Sequence, residues 1–254
     1  MTFGVRAAVL SVLVLGTTPA LRGEPVVEAR EIVEKLDKLY KSESSRGRME
    51  MEIVTPHWSR TLVMRMWSKG MEKALVKVLS PKKERGVATL KLGGEMWNYL
   101  PKTNKVIKIP PSMMMGSWMG SDFTNDDLVR EYTFTEDYRF EMFSPEEAAD
   151  SLYYVKALPR EGRPIVWGKV VVAVRTSDYQ PVWEKFYDEN GKVMRTMFFG
   201  SYKEFDSRTI PAEIELVPRN EEGRTIVRYL EMEFDIELDN SVFSLRNLRT
   251  PPGE

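Results

Sequence analysis

From Arg48 onward the apolar residues return at every second position, and that period dictates what the chain can become. In "RMEMEIV", Met49, Met51 and Ile53 alternate with Arg48, Glu50 and Glu52, the pattern of a strand with one buried face. Similar strand-like runs follow in "TLVMRMWS", "EKALVKVLS", "GVATLKL", "EMWNYL" and "KVIKI". They resume in "EYTFTEDYRFEMF", "LYYVKAL", "WGKVVVAVR", "PVWEKFYD", "KVMRTMFFG", "RTIPAEIELV" and "RTIVRYLEMEF". Gly93-Gly94 and Asp188-Glu189-Asn190-Gly191 supply tight hairpin turns between neighbours. So many strands joined so closely predict one large antiparallel sheet, which at that width must curl or close.

Helices are few. "PVVEAREIVEKLDKLYKS" places Ala29, Ile32, Val33, Leu36, Leu39 and Tyr40 at helical spacing, which predicts one amphipathic helix ahead of the sheet. "TNDDLVRE" offers Thr124 as a cap with Asp127 three residues on, and "SPEEAAD" offers Ser144, Pro145 and Glu147 in the same arrangement. A short helix is expected at "DNSVFSLRNL" near the end. No linker, low-complexity tract or repeat divides the chain, so residues 24–254 read as a single domain.

Ahead of it, Arg6 and the apolar run "AAVLSVLVLG" (Ala7 to Gly16) have the charge and length of a secretory signal rather than of a membrane span. Residues 1–23 are expected to be a signal peptide cleaved near Ala20 or Gly23, with a retained anchor as the alternative. The mature chain would then be periplasmic. The sequence has no cysteine, which removes disulfides, thiolate metal sites, a cysteine nucleophile and a lipid-modified N-terminal cysteine.

Charge and chemistry narrow the function by exclusion. The formal charge is −1 with both signs mixed along the chain, so nucleic acid is not an expected partner. No polybasic run for lipid headgroups is visible either. His57, in "TPHWS", is the only histidine and reads as a surface residue, which leaves no histidine metal cluster and no obvious catalytic triad. No phosphate loop or calcium loop is present. Neither an enzyme, a metal site nor a cofactor is expected.

What remains is "PPSMMMGSWMGSDFTNDDLVRE", a loop holding Met113, Met114, Met115, Trp118 and Met119 among Gly, Ser and Pro. Three readings compete for it. The methionines fill gaps in the core; or their thioethers bind Cu(I) outside the cytoplasm; or the loop is an adaptable lid over an apolar cavity, with Gly116 and Gly120 as hinges. The strands favour the lid, because several are apolar on both sides. Leu62, Met64 and Met66 oppose Val63 and Trp67, and Trp97 and Tyr99 oppose Met96 and Leu100. One face can pack on the helix while part of the other lines a cavity.

At this point the residues resemble a known family. The run from "LVKVLSPKKERGVATLKL" through "YLPKTNKVIKIPPS" to "SWMGSDFTNDDL" is similar to the central signature of the outer-membrane lipoprotein-sorting protein-like family, and the opening helix and "SESSRGRMEMEI" fit as well. The resemblance implies a mainly β (α+β) fold, in which a large curved antiparallel sheet forms an incomplete barrel covered by the N-terminal helix and short helices. It implies a carrier of lipid acyl chains or lipoproteins, loaded by an inner-membrane donor transporter and unloaded at an outer-membrane acceptor. No arginine here matches the family's lid-holding arginine. The expected lipid-binding residues are Met64, Met66, Trp97 and Tyr99 on the sheet, with Met113, Met114, Met115, Trp118, Met119, Phe123 and Leu128 in the gate. A non-carrier sensor or regulatory subunit of an envelope complex is the rival reading.

Overall fold

The computed structural model describes residues 28–40, 42–130, 134–163, 165–219 and 222–252. The expected signal peptide and both cleavage points lie outside them. The first element is the amphipathic helix, α1 (Ala29–Tyr40). Six strands follow as a meander: β1 (Ser44–Val54), β2 (Ser59–Lys69), β3 (Lys73–Ser80), β4 (Ala88–Leu92), β5 (Glu95–Leu100) and β6 (Lys105–Lys108). The methionine loop then opens with a 3-10 turn at Pro111–Met113 and ends in α2 (Asn125–Arg130). After α3 (Phe134–Asp137) come β7 (Tyr138–Met142), β8 (Leu152–Pro159), β9 (Lys169–Arg175), β10 (Pro181–Tyr187), β11 (Val193–Phe205), β12 (Arg208–Pro218) and β13 (Arg224–Phe234). A 3-10 turn at Asn240–Val242 and α4 (Leu245–Leu248) are the last elements among the described residues.

All thirteen strands lie in one antiparallel sheet, ordered β6-β5-β4-β3-β2-β1-β13-β12-β11-β10-β9-β8-β7. Two meanders are therefore sewn together where the last strand pairs with the first, Met51 opposite Val227. The edge strands β6 and β7 do not meet, so the sheet stays open. This is the mainly β fold that the alternation predicts.

Strand register assigns the residues to faces, because successive side chains point to opposite sides. Met49 and Met51 face across to Met64 and Leu62 on one side and to Tyr229 and Val227 on the other. Following the pairs outward through Leu216, Met197, Phe186 and Val172 keeps to the same face. Its distal part is covered by α1, whose Ile32, Val33 and Leu36 pack on Val155, Ala157, Val170, Val172 and Phe186. The methionine loop covers the proximal part, over β1, β2, β3 and β13. Helix and loop thus share one face, called here the lid face. The expectation that the helix and the loop's side would be opposite faces is corrected by this register.

The reverse face carries Trp67, Leu75, Ala88, Leu90, Trp97 and Tyr99, and the C-terminal segment lies over it with Phe243 and Leu248 buried. Lys77 fastens that segment: its Nζ, on a side chain almost entirely buried, donates to Asn247 O at 2.6 Å and to Thr250 O at 3.0 Å. Two local expectations also change. "SPEEAAD" is turn and coil, not helix: its residues are mostly exposed, with only two alanines to bury, so one turn of helix gains no packing. The "EYTFT" part of the seventh run is not strand where described. Phe134–Asp137 is helical, with the Asp137 carboxylate paired to Arg163 at 3.1 Å and its carbonyl taken by the Arg160 N–H.

Candidate functional site

The floor of the lid face is assembled by alternation alone. β1 contributes Met49, Met51 and Ile53, β2 contributes Leu62, Met64 and Met66, β3 contributes Val76 and Val78, and β13 contributes Val227 and Tyr229. Trp118, Met119, Phe123 and Leu128 come down on this floor from the loop and α2. Trp118 is the anchor, 3% exposed. Its indole N–H donates to Thr89 Oγ1 at 3.1 Å, and Thr89 in turn donates to Asn98 Oδ1 at 2.7 Å. A buried tryptophan is thereby satisfied by a polar pair on an otherwise apolar surface.

The loop keeps its shape through its own hydrogen bonds. Asn125 Nδ2 donates to the carbonyls of Met113 and Gly116, both at 3.1 Å. Trp118 N–H donates to Phe123 O at 2.7 Å. Thr124 and Asp127 form the expected reciprocal cap of α2, with the Thr124 N–H on Asp127 Oδ2 at 2.8 Å and the Asp127 N–H on Thr124 Oγ1 at 3.2 Å. At the tip, Met119 and Gly120 both take positive φ, 50° and 76°. A Cβ on Gly120 would also sit 3.3 Å from Arg60 Nη2, so glycine is required at this reversal.

Beside the Trp118–Thr89 bond, three polar contacts fasten the loop to the sheet, all toward its tip and far end. Arg60 of β2 donates to the Met119 carbonyl and pairs with Glu84 at 3.5 Å. Thr225 of β13, fully buried, accepts from the Asp122 N–H at 3.0 Å and donates to its carboxylate at 2.7 Å. Arg195 of β11 grips Asp127 with both ends of its guanidinium, at 2.6 and 2.8 Å. The Arg195 side chain is 7% exposed and lies 4.3 Å from the Phe186 ring and 4.6 Å from the Trp167 ring. Its buried Nε has no hydrogen-bond partner among the described residues. Arg195 therefore bridges the loop side of this face to the α1 side.

The residues singled out from sequence divide three ways. Met64, Met66, Trp118, Met119, Phe123 and Leu128 come together in one cluster. Trp97 and Tyr99 belong to the cluster on the reverse face, under the C-terminal segment. Met113 and Met115 are exposed, Met113 by 55%, and Met114 is half-buried. Sequence reasoning passed over Arg60, Thr89, Arg195 and Thr225 and treated Asp127 only as a cap. A signal existed: Arg195 and Thr225 stand in phase with inward Met197 and Val227, polar residues on an apolar face. Among the described residues, no group of three or more His, Cys, Asp or Glu is placed to hold a metal ion. Two surface clefts, of about 380 and 650 Å3, lie away from the loop, one beside Val54 and Arg224 and one beside α4.

The unclosed antiparallel β-sheet with a few helices matches the fold of solved structures in the outer-membrane lipoprotein-sorting class. The chain belongs to a family whose model, described as "-like: Uncharacterized protein", matches residues 70–250. It is similar to a Vibrio parahaemolyticus protein described as an outer membrane lipoprotein-sorting protein domain, with 24% identity, a TM-score of 0.76, and 87% of this chain and 98% of that chain covered. A DUF1329 family protein from Desulfovibrio piger gives 20% identity and a TM-score of 0.79, covering 87% and 97%. A LolA superfamily protein from Nitrosomonas europaea gives 22% and 0.72, covering 87% and 99%. At these identities the likeness establishes the fold. A comparison with curated proteins finds no match.

Proposed function

We propose that this chain is an exported, periplasmic carrier that takes lipid acyl chains onto the lid face, and that it moves lipoproteins or other lipids from an inner-membrane donor towards an outer-membrane acceptor. The observation that carries this reading is a methionine-rich apolar floor under a loop that packs on it through four apolar side chains and has few polar attachments to the sheet. Methionine repacks around guests of varied shape. The lining set is Met64 and Met66 below, with Trp118, Met119, Phe123 and Leu128 above. Trp97 and Tyr99 drop out of it because they face the other way.

Magnitudes support an exchange rather than a fixed plug. A 16-carbon acyl chain taken from water is worth on the order of 13 kcal/mol, at about 0.8 kcal/mol per methylene. The four apolar side chains of the loop, at about 1.5–3 kcal/mol each when fully buried, recover up to about 12 kcal/mol from the same floor. Guest and loop are therefore close in energy, and reversible loading follows. The Arg195–Asp127 pair adds little resistance, since separated charges regain the hydration they lost on burial. The similar Vibrio parahaemolyticus structure, described as an outer membrane lipoprotein-sorting protein domain, points the same way.

The rival is a sensor or regulatory subunit of an envelope complex in which Trp118 is permanent core; its near-complete burial favours that reading. Native mass spectrometry of protein purified without detergent, followed by titration with a fluorescent fatty acid, separates the two. Co-purified lipid or saturable probe binding supports the carrier. An empty protein that takes up no probe refutes it.

A further inference from the structure

We infer that the end of the sheet carrying the β1–β2, β3–β4 and β5–β6 turns is a docking surface for an anionic lipid bilayer. The sequence shows no run of basic residues, but the antiparallel register gathers separate ones. Strands β1, β3 and β5 all finish at this end, so residues 55–58, 81–87 and 101–104 share it. The C-terminal segment arrives there too: a Cβ on Gly86 would lie 3.6 Å from Pro101 and 3.9 Å from Pro252. These described residues hold Lys82, Lys83, Arg85, Lys102 and Arg249, all exposed, against one carboxylate, Glu84. The neighbouring β12–β13 connection, beside Thr55 and Pro56, adds Arg219 and Arg224 with Glu222. Glu84 is already engaged by Arg60 at 3.5 Å and Lys83 at 3.9 Å.

The opposite end of the same strands has the reverse sign. Its connections, residues 42–43, 70–72, 93–94 and 235–239, carry Glu43, Glu72, Asp235, Glu237 and Asp239. Against these stand Lys69 and Lys73, which reach in from the strand ends to Leu238 O and Asn240 Oδ1, and Arg208, which pairs with Asp235. In a protein of formal charge −1, this half of the sheet is polarised along its strands. An anionic surface attracts one end and repels the other, which fixes the orientation of approach.

The basic end also carries an apolar probe. Trp58 is 49% exposed at the β2 side of the β1–β2 turn. Thr55 holds it there: its N–H and hydroxyl both donate to Trp58 O at 2.9 Å, and its Oγ1 accepts from the Trp58 N–H at 3.1 Å. An exposed indole on a fixed backbone, with the Arg60 guanidinium 6.0 Å from its ring, suits the headgroup region, where tryptophan accumulates. An acidic protein would match the charges but gives no reason for the exposed indole, so the bilayer is the better fit.

Vesicle flotation tests this without any cargo assay, on vesicles of phosphatidylethanolamine with phosphatidylglycerol and on pure phosphatidylcholine vesicles. The protein is expected to float with the anionic vesicles at low ionic strength and to dissociate as salt rises. The Lys82→Glu/Lys83→Glu/Arg85→Glu variant, changed only on an exposed turn, is expected to lose at least about tenfold in partitioning. Trp58→Ala is expected to weaken binding while keeping its salt dependence. Equal binding to neutral vesicles, no flotation at low salt, or undiminished flotation of the triple variant would overturn the proposal, the second outcome in favour of an acidic protein partner.

Discussion

Asp127 does two jobs with one carboxylate, capping α2 through Thr124 and neutralising Arg195. Replacing it by asparagine preserves shape but strands a guanidinium between Phe186 and Trp167. Loss of one partner from a buried pair costs about 3–5 kcal/mol when the site stays closed. A lid has a cheaper response, which is to lift and let water reach Arg195. Asp127→Asn is therefore expected to speed hydrogen exchange of the amides of residues 116–126 by at least tenfold, with a loss in global stability well below 3 kcal/mol. If urea unfolding shows the full loss and local exchange is unchanged, the loop is core. The complementary pair Arg195→Met/Asp127→Leu replaces the ions with apolar groups of similar size and is expected to slow the same amides, apart from that of Thr124, which loses its acceptor. Arg195 itself was invisible as a latch in the sequence, since an arginine two residues before a methionine in "KVMRTMFFG" reads as one more alternating strand position. Only the register that sets it opposite Phe186 and the loop's return to β11 reveal its partner.

Most elements were legible because alternation and turn chemistry are local, and the sheet follows from them. Gly93-Gly94 joins β4 to β5 as expected, and Thr124 and Asp127 cap α2 as their spacing suggests. What the pattern did not contain is which face each element covers. Trp97 and Tyr99 alternate correctly, yet nothing local says that Leu238–Pro252 rather than the methionine loop lies over them. Lys77 decides that, by drawing Asn247 and Thr250 onto the reverse face. Burial lowers the Lys77 pKa from its usual value near 10.5. The folded state therefore binds fewer protons than the unfolded state between that lowered value and 10.5, and the stability it contributes rises with pH across that window. Lys77→Met lacks this term and leaves the 247 and 250 carbonyls without their donor. It is expected to be less stable than the parent at neutral pH, by roughly 1.5–3 kcal/mol for the loss of charge-assisted hydrogen bonds. The gap should widen as pH is raised towards 10, measured by urea unfolding at each pH. A gap that narrows would mean that the buried amine is not the group being titrated. Tyr187 and Tyr202, whose pKa values burial raises above 10, affect both proteins alike and cancel in the comparison.

At the scale of the whole molecule, the basic end, the loop tip and the floor are mechanically adjacent. Arg60 touches all three: it pairs with Glu84 on the β3–β4 turn, holds the Met119 carbonyl, and lies in phase with Leu62 and Met64. On the carrier reading, a guest enters where the loop tip lifts, next to the end proposed to meet the membrane. Fixing the tip should then close the protein to cargo without altering the fold. The chain has no cysteine of its own, so Asp122→Cys with Thr225→Cys introduces a single pair, at side chains already in hydrogen-bond contact. Reduced, this variant has lost one polar attachment and is expected to bind a fluorescent fatty acid at least as well as the parent. Oxidised, it ties the loop to β13, and binding is expected to fall at least tenfold and to return on adding a reductant. Circular dichroism should stay the same in both states, because the bond joins residues that already touch. Trp118, seated on Thr89, is the internal reporter: its fluorescence should shift on cargo binding in the reduced protein and stay fixed in the oxidised one. Unchanged probe binding by fully oxidised protein would show that lipid does not pass beneath this loop, whatever else the sheet carries.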